Sequence, residues 1–504
     1  MSAPNVLWIC TDQQRFDSLG CYGNDFVETP NIDALAASGI RFDRAYCQSP
    51  VCTPSRSSFL TGRYPRTTRV RQNGQPIPTD ESLVTKQLAD EGYTCGLSGK
   101  LHLGPCKPVE DRDPHPFAER RIDDGYVEFH WSHNNGPNWP TNEYLHWLRD
   151  RGVDFESYVF EDPSAGTRRL DRSSEFPDKP YGTNEYVQVS MPPGDHQTTW
   201  CAQKAENFIE ANAETDQPWL FSMNTFDPHH AFDPPAEYLD RYLDRVEDIP
   251  LPSYEAGELT DKPVFQQIDH ENAYNVPGTF PFDEMTDEDH RLIRAAYWAM
   301  IDLIDDQVGR LLEALEATGQ RDETIVIFQS DHGEMLGDHG IYLKGPYFYE
   351  PAVRVPLIVE GPGIESGVES DALVELTDLA PTLLDAAGMD RHPGMQGRSL
   401  WPILTGDTGP DHHRDSVYCE YYNTKPSHRD PTPYATMVRT DEEKLVRMHG
   451  QPGGELYDLA EDPGEVENHW DDPTMAARKT ELLELMTDRM AETIDPLPER
   501  QAAW

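Results

Sequence analysis

Two apolar runs lie far apart in the chain, Asn5 to Cys10 and Thr324 to Gln329. Each passes directly into polar residues: Thr11-Asp12-Gln13 after the first, Ser330-Asp331-His332 after the second. Uninterrupted apolar runs of this length read as strands buried on both faces, the kind found in parallel sheets covered by helices. Thr94 to Leu97, Trp219 to Asn224 and Pro356 to Glu360 are further strands of this sort. Helical patterns alternate with them: a helix opened by Thr29-Pro30-Asn31 with Asn31 as N-cap, then Leu83 to Glu91, His196 to Asn212, Asp287 to Thr318 capped by Thr286, and Thr377 to Ala387. The alternation predicts an α/β fold whose mostly parallel sheet is covered on both faces. Acidic residues just past the carboxyl ends of its strands stand where open α/β sheets place ligands.

Beyond about Gly406 the pattern changes to short strands, Val417 to Tyr421, Ala435 to Arg439 and Lys444 to Met448, followed by a helix from Met475 to Ala491. A smaller antiparallel α+β subdomain is expected there, dividing the chain into residues 1–406 and 407–504. From Cys106 to Pro193 periodicity is weak, and long loops are expected around a pocket mouth. Trp131, His133, Trp139 and His196 are candidates to line that pocket, and equally fit as ordinary loop and helix residues.

Charge excludes some functions. The chain has 42 basic and 90 acidic residues, a net charge of −48. Nothing offsets phosphate repulsion, so nucleic acid is not an expected partner. The acids are dispersed and there are only ten lysines. A carboxylate-rich, lysine-poor surface suits concentrated salt, where screening removes self-repulsion, so a halophilic protein is expected. There is no apolar stretch of bilayer length, and Met1 to Asn5 lacks a basic region and cleavage site. A cytoplasmic location with no membrane partner is the expectation. The eight cysteines have no metal or disulfide spacing, and most are expected to be reduced core residues.

Cys52 is the exception. Ser49-Pro50-Val51-Cys52-Thr53-Pro54-Ser55-Arg56, continued by Thr61-Gly62-Arg63, contains a Cys-x-Pro-x-Arg core. Alone, such a pentapeptide is also what a buried cysteine beside a turn-forming proline looks like. Three other segments accompany it: Gly99-Lys100-Leu101-His102-Leu103-Gly104, Pro228-His229, and Asp331 to Gly340 followed by Lys344. Lys100 and His102, two apart on an extended segment, are expected on one face. With Asp12, these segments resemble the formylglycine-dependent sulfatases of the alkaline phosphatase superfamily. The likeness continues to Glu455-Leu456-Tyr457-Asp458 and is weakest over residues 106–193 and 234–284.

The resemblance implies a large mixed, mostly parallel sheet sandwiched by helices, alkaline-phosphatase-like, with the smaller C-terminal subdomain. It implies that a maturation enzyme oxidises Cys52 to formylglycine, whose hydrate is the nucleophile, with Arg56 beside it. Lys100 and Lys344 would bind the sulfate, and His102 would be the base that releases it. His229 would be the acid for the leaving alcohol; the adjacent His230 is its rival. Asp12, Gln13, Cys52, Asp331 and His332 would surround one divalent cation, Ca²⁺ or, given the imidazole, Mn²⁺. Gln13 departs from the two successive acids of many sulfatases, and a similar Asp-Gln pair occurs in related phosphonate monoester hydrolases and choline sulfatases. The implied activity is hydrolysis of a small or carbohydrate sulfate monoester. The alternative is a phosphonate monoester or phosphodiester hydrolase on the same scaffold. A non-catalytic binder of sulfated polymers is a third reading, against which the acidity of the chain argues.

Overall fold

The computed structural model describes residues 3–105, 119, 122–134, 142–154, 159–162, 167–170, 186–187, 189–423, 428 and 431–500. Its strands, in chain order, begin with β1 (Asn5–Thr11), β2 (Ile40–Tyr46), β3 (Thr94–Gly99), β4 (Tyr126–Trp131), β5 (Val159–Asp162) and β6 (Thr167–Leu170). They continue with β7 (Trp219–Asn224), β8 (Thr324–Ser330), β9 (Arg354–Val355), β10 (Leu357–Glu360) and β11 (Val368–Glu375). Nine of these form one sheet in the order β11, β2, β10, β8, β1, β7, β3, β4, with β9 added to β2; β5 and β6 make a separate hairpin. Pairing through the centre is parallel (β8, β1, β7, β3, β4), whereas β10 runs antiparallel to both of its neighbours. The sheet is therefore mixed and mostly parallel, as expected.

The central strand shows why an unbroken apolar run was needed. All seven residues of β1 are buried. Val6, Trp8 and Cys10 enter one core, and Leu7 and Ile9 enter the other. Period-two alternation thus feeds two helix-covered faces at once. The long helix Asp287–Ala317 covers the second face, and its start is fixed by a capping box between Thr286 and Asp289. That device contributes about 1 kcal/mol.

The other predicted cap differs. The helix α1 (Pro30–Ser38) starts with Pro30 in its first turn and Thr29 at the cap position, so Asn31 lies inside it. Asp305 of the long helix accepts from the Asn31 and Ile32 N–H groups at 3.2 and 2.8 Å, doing from a distance what a cap side chain does locally.

Strands β12 (Val417–Tyr422), β13 (Tyr434–Arg439), β14 (Glu443–Met448) and β15 (Gly454–Asp458) form a four-stranded antiparallel sheet. The helix Ala476–Glu492 packs on it through Leu482 and Met486, against Val438, Leu445 and Leu456. Its opposite face joins the first core, where Val417, Cys419, Met437 and Val446 are buried with residues of the large sheet. Among the described residues, no helix is long and apolar enough to cross a membrane.

Candidate active site

Strand register assembles the site. β1 and β8 pair in parallel with Thr11 opposite Ser330, so Asp12 and Asp331 leave the sheet side by side. On the other flank Cys10 and Gly99 both face Asn224 of β7, which brings Lys100 to the same edge. A Cβ at Gly99 would lie 1.9 Å from the Asn224 carbonyl oxygen, and one at Gly333 would lie 1.9 Å from that of Pro351. Only glycine allows these approaches.

Cys52 is the first residue of helix α2 (Cys52–Thr61), a helix buried on all sides although it is rich in hydroxyls. Burial is tolerated because Ser57 and Ser58 donate to the Pro54 carbonyl, at 2.7 and 2.9 Å, and Thr61 donates to that of Ser57. One turn into the helix, Arg56 is fully buried. It donates to Asp331 Oδ2 at 2.8 Å, to the Lys100 carbonyl at 2.7 Å and to Asp12 Oδ2 at 3.4 Å. It locks three segments together and balances part of the carboxylate charge.

Around Cys52 Sγ stand Lys344 Nζ at 3.0 Å, His332 Nε2 at 3.2 Å, Asp12 Oδ1 at 3.6 Å and Lys100 Nζ at 3.7 Å. Burial and the Asp12 carboxylate oppose ionisation of the thiol. Lys100 and Lys344 outweigh them and hold it well below the ordinary thiol range. Asp12 is also held well below the carboxylate range; burial opposes this, and Lys100, Arg56 and Lys344 prevail.

The donor set fits a divalent cation. Ligand atoms of Asp12, Cys52, Asp331 and His332 lie within 4.8 Å of one another, all buried. His332 Nδ1 is bonded to the Gly333 carbonyl at 2.9 Å, which makes Nδ1 the protonated nitrogen and turns the Nε2 lone pair inward. Gln13 has a left-handed backbone (φ 67°), and its amide nitrogen donates to Glu334. Its Oε1 therefore faces the site and accepts from Lys344 Nζ at 2.6 Å. Three carboxylate or amide oxygens and one imidazole nitrogen would thus hold a hard divalent cation, Gln13 supplying oxygen without charge.

The histidines differ in setting. Burial, then Lys100 and Arg56, push His102 well below the ordinary imidazole range, so it is neutral. His102 does not continue a strand. β3 ends at Gly99 and His102 turns left-handed (φ 59°), so the predicted one-face argument gives way to a tight turn. His229 stacks on His230 at 4.1 Å and packs at a tilt against Phe226 at 4.6 Å. Burial, Lys344 and His230 hold it neutral as well.

The matching family profile, described as Sulfatase, covers residues 4–389. The chain belongs to the sulfatase family. A second profile, N-sulphoglucosamine sulphohydrolase, C-terminal, matches residues 337–492 of this sulfatase. The chain is similar to an arylsulfatase of Clostridium perfringens (29% identity; 92% of this chain, 90% of that protein). It is also similar to a choline-sulfatase of Rhizobium meliloti (29%; 93% and 83%). Among solved structures, a phosphonate monoester hydrolase of Agrobacterium radiobacter superposes with a TM-score of 0.81 (28%; 98% and 97%).

The structure brings Asp12, Gln13, Cys52, Arg56, Lys100, Asp331, His332 and Lys344 of this sulfatase into direct contact. His102 and His229 lie within electrostatic reach of that group, His102 feeling Lys100 and His229 feeling Lys344. Among the pocket candidates, His133 meets His102 edge-on at 4.7 Å. Trp131 is buried at the end of β4, and its indole donates to Glu119. His196 instead caps the helix Gln197–Ala211, accepting from Thr198 N. Trp139 lies outside the described residues. Glu334 accepts from the Leu336 and Leu343 N–H groups as well as from Gln13, so it orients a site ligand. Nothing near residue 334 in sequence signals a tie to residue 13.

Proposed function

We propose that this sulfatase hydrolyses a sulfate monoester of a small molecule or carbohydrate. The observation that carries the reading is the ring of Lys100, Lys344, His332 and Asp12 around Cys52 Sγ. Formylglycine at position 52, installed by a maturation enzyme, and a divalent cation, Ca²⁺ or Mn²⁺, would supply the hydroxyl nucleophile and the positive charge that offsets negative charge on the transferring group. Sγ marks the place of the oxygens borne by the same carbon after oxidation.

The remaining work falls to the chain's own side chains. Lys100 and Lys344, both buried, offset charge on the sulfuryl oxygens without reorganising. Arg56 holds Asp12 and Asp331 in register with helix α2. His229 gives its proton to the departing alkoxide. It is neutral in the free protein, and the negative charge of an arriving sulfate ester raises its proton affinity. His102, held neutral beside Lys100, accepts a proton in the step that frees sulfate.

Gln13 at the metal site, with the likeness to a phosphonate monoester hydrolase, supports a second reading as a phosphonate ester hydrolase. Two measurements decide. The mass of the Cys52 peptide from native-host protein should show the aldehyde. The matured protein should turn over an aryl sulfate faster than an aryl phosphonate. The reverse preference would establish the second reading, and an unmodified thiol with no turnover of either ester would overturn both. Cys52→Ser, with one hydroxyl and no second one to expel sulfate, should stop after a single turnover.

A further inference from the structure

The turn that carries His102 is built around a carboxylate from another part of the chain. Three successive N–H groups, those of His102, Leu103 and Gly104, point to one side and all donate to Glu119, His102 at 2.8 Å and Gly104 at 3.0 Å. Consecutive N–H groups converging in this way form an anion-binding nest. The conformation includes a left-handed φ of 59° at His102, which a non-glycine residue holds at a cost of about 1–3 kcal/mol. Glu119 is 6% exposed, and burial raises its proton affinity against these donors.

A fourth donor ties the carboxylate to the wall of the site. Trp131 Nε1 donates to Glu119 Oε2 at 3.2 Å, and Trp131 stands opposite Gly99 in the β3–β4 pairing. Two residues further on, His133 stacks over the Trp131 ring at 6.3 Å and meets the His102 ring edge-on at 4.7 Å. Glu119 therefore holds His102 twice. It fixes the backbone through the nest, and it fixes the ring through the Trp131–His133 wall.

We propose that Glu119 is the positioning residue for His102, setting the place of the imidazole without touching substrate. This rests on the reading of His102 as the base of the proposed reaction. Glu119→Gln tests it, because an amide nitrogen set against the nest N–H groups meets donor with donor. The first readout needs neither maturation nor metal. In ¹⁵N-histidine NMR of the full-length Cys52 protein, with His102→Ala giving the assignment, the depressed His102 pKa should rise by at least about one unit as the ring is freed toward water. The second readout uses matured protein. Release of the alcohol in the first turnover should be unchanged, while steady-state kcat falls about 10- to 100-fold, the scale of an angstrom of misplacement.

A wild-type His102 titration in Glu119→Gln overturns the proposal. If His102→Ala turns over normally, the base reading fails by itself, and the NMR titration alone decides whether Glu119 holds the ring. Should Glu119→Gln fail to fold, Trp131→Phe removes one donor and keeps an aromatic ring in the wall. It should move the same titration upward, and no movement overturns the proposal.

Discussion

Lys444, on β14 of the small sheet, is fully buried, and its ammonium sits between Glu350 at 2.8 Å and Glu465 at 2.6 Å. It also donates to the Phe348 carbonyl at 2.9 Å, four residues beyond Lys344. Replacing it by Met removes the cation and leaves two carboxylates without it in the interior, a change that costs about 3–5 kcal/mol. For 504 residues the unfolding entropy is about 1.1 kcal/mol per kelvin, so the melting temperature should fall by about 3–5 °C. The sign of the pH dependence follows from Glu350, which Lys444, Arg439 and Arg354 hold well below its ordinary 4.5 against the effect of burial. A depressed carboxyl stabilises the fold above its unfolded pKa, and this contribution is lost as pH falls through the folded one. The gap between wild type and Lys444→Met should therefore be full at pH 7 and narrow below about pH 4. Differential scanning calorimetry at pH 7 and pH 3.5 measures it, and Lys444→Met/Glu465→Gln should recover part of the loss at pH 7. Equal melting temperatures at pH 7, or a gap independent of pH, would refute the reasoning.

Lys344→Ala should lower kcat on an aryl sulfate by about 10²–10³, as loss of a preorganised charge at the reacting group does; a change in KM alone would contradict that role. Asp302 and Asp305, which burial raises to about 7 and about 6, should each add stability as pH falls from 7 toward about 4.5, because at these sites the fold takes up protons that the unfolded chain does not; His102 and His229, held neutral in the fold, act in the opposite sense. Below pH 4 stability should fall, because the unfolded carboxyl then takes up a proton while Asp378, which Arg414 and His413 bring down to about 2 in spite of burial, stays ionised in the fold. Asp302→Asn should flatten the upper limb in urea titrations at stepped pH. The halophilic reading predicts a urea midpoint that rises steeply from low to molar KCl, given the net charge of −48; equal midpoints would remove it.

The central sheet was legible because β1, β7 and β8 are buried along their whole length and read as unbroken apolar runs. β2, β4 and β11 were not, because their buried positions are interleaved with part-exposed ones and the alternation is broken. Within the site, Asp12 and Asp331-His332 could be read from residue type and position after a strand, and Cys52 and Lys100 from the motifs that resemble the sulfatases. The orientation of Gln13 could not, since it depends on Glu334, 321 residues away. The turn at His102 was misread as extended for a similar reason: its conformation is set by Glu119 and Trp131, whose roles appear only once β3 and β4 are paired.

Cys52 and His332, whose side chains meet in the finished site, are 280 residues apart in the chain. At about 5–20 residues per second, a ribosome takes roughly 14–56 s to add the second after the first. Throughout that interval the thiol has been made and the strand that will flank it has not, so the pocket cannot close. In the folded protein Cys52 is 1% exposed at the base of α2. Any enzyme that must act on this cysteine works against a clock set by translation speed. Slowing elongation between codons 52 and 332 should raise the fraction of chains that leave the ribosome already modified.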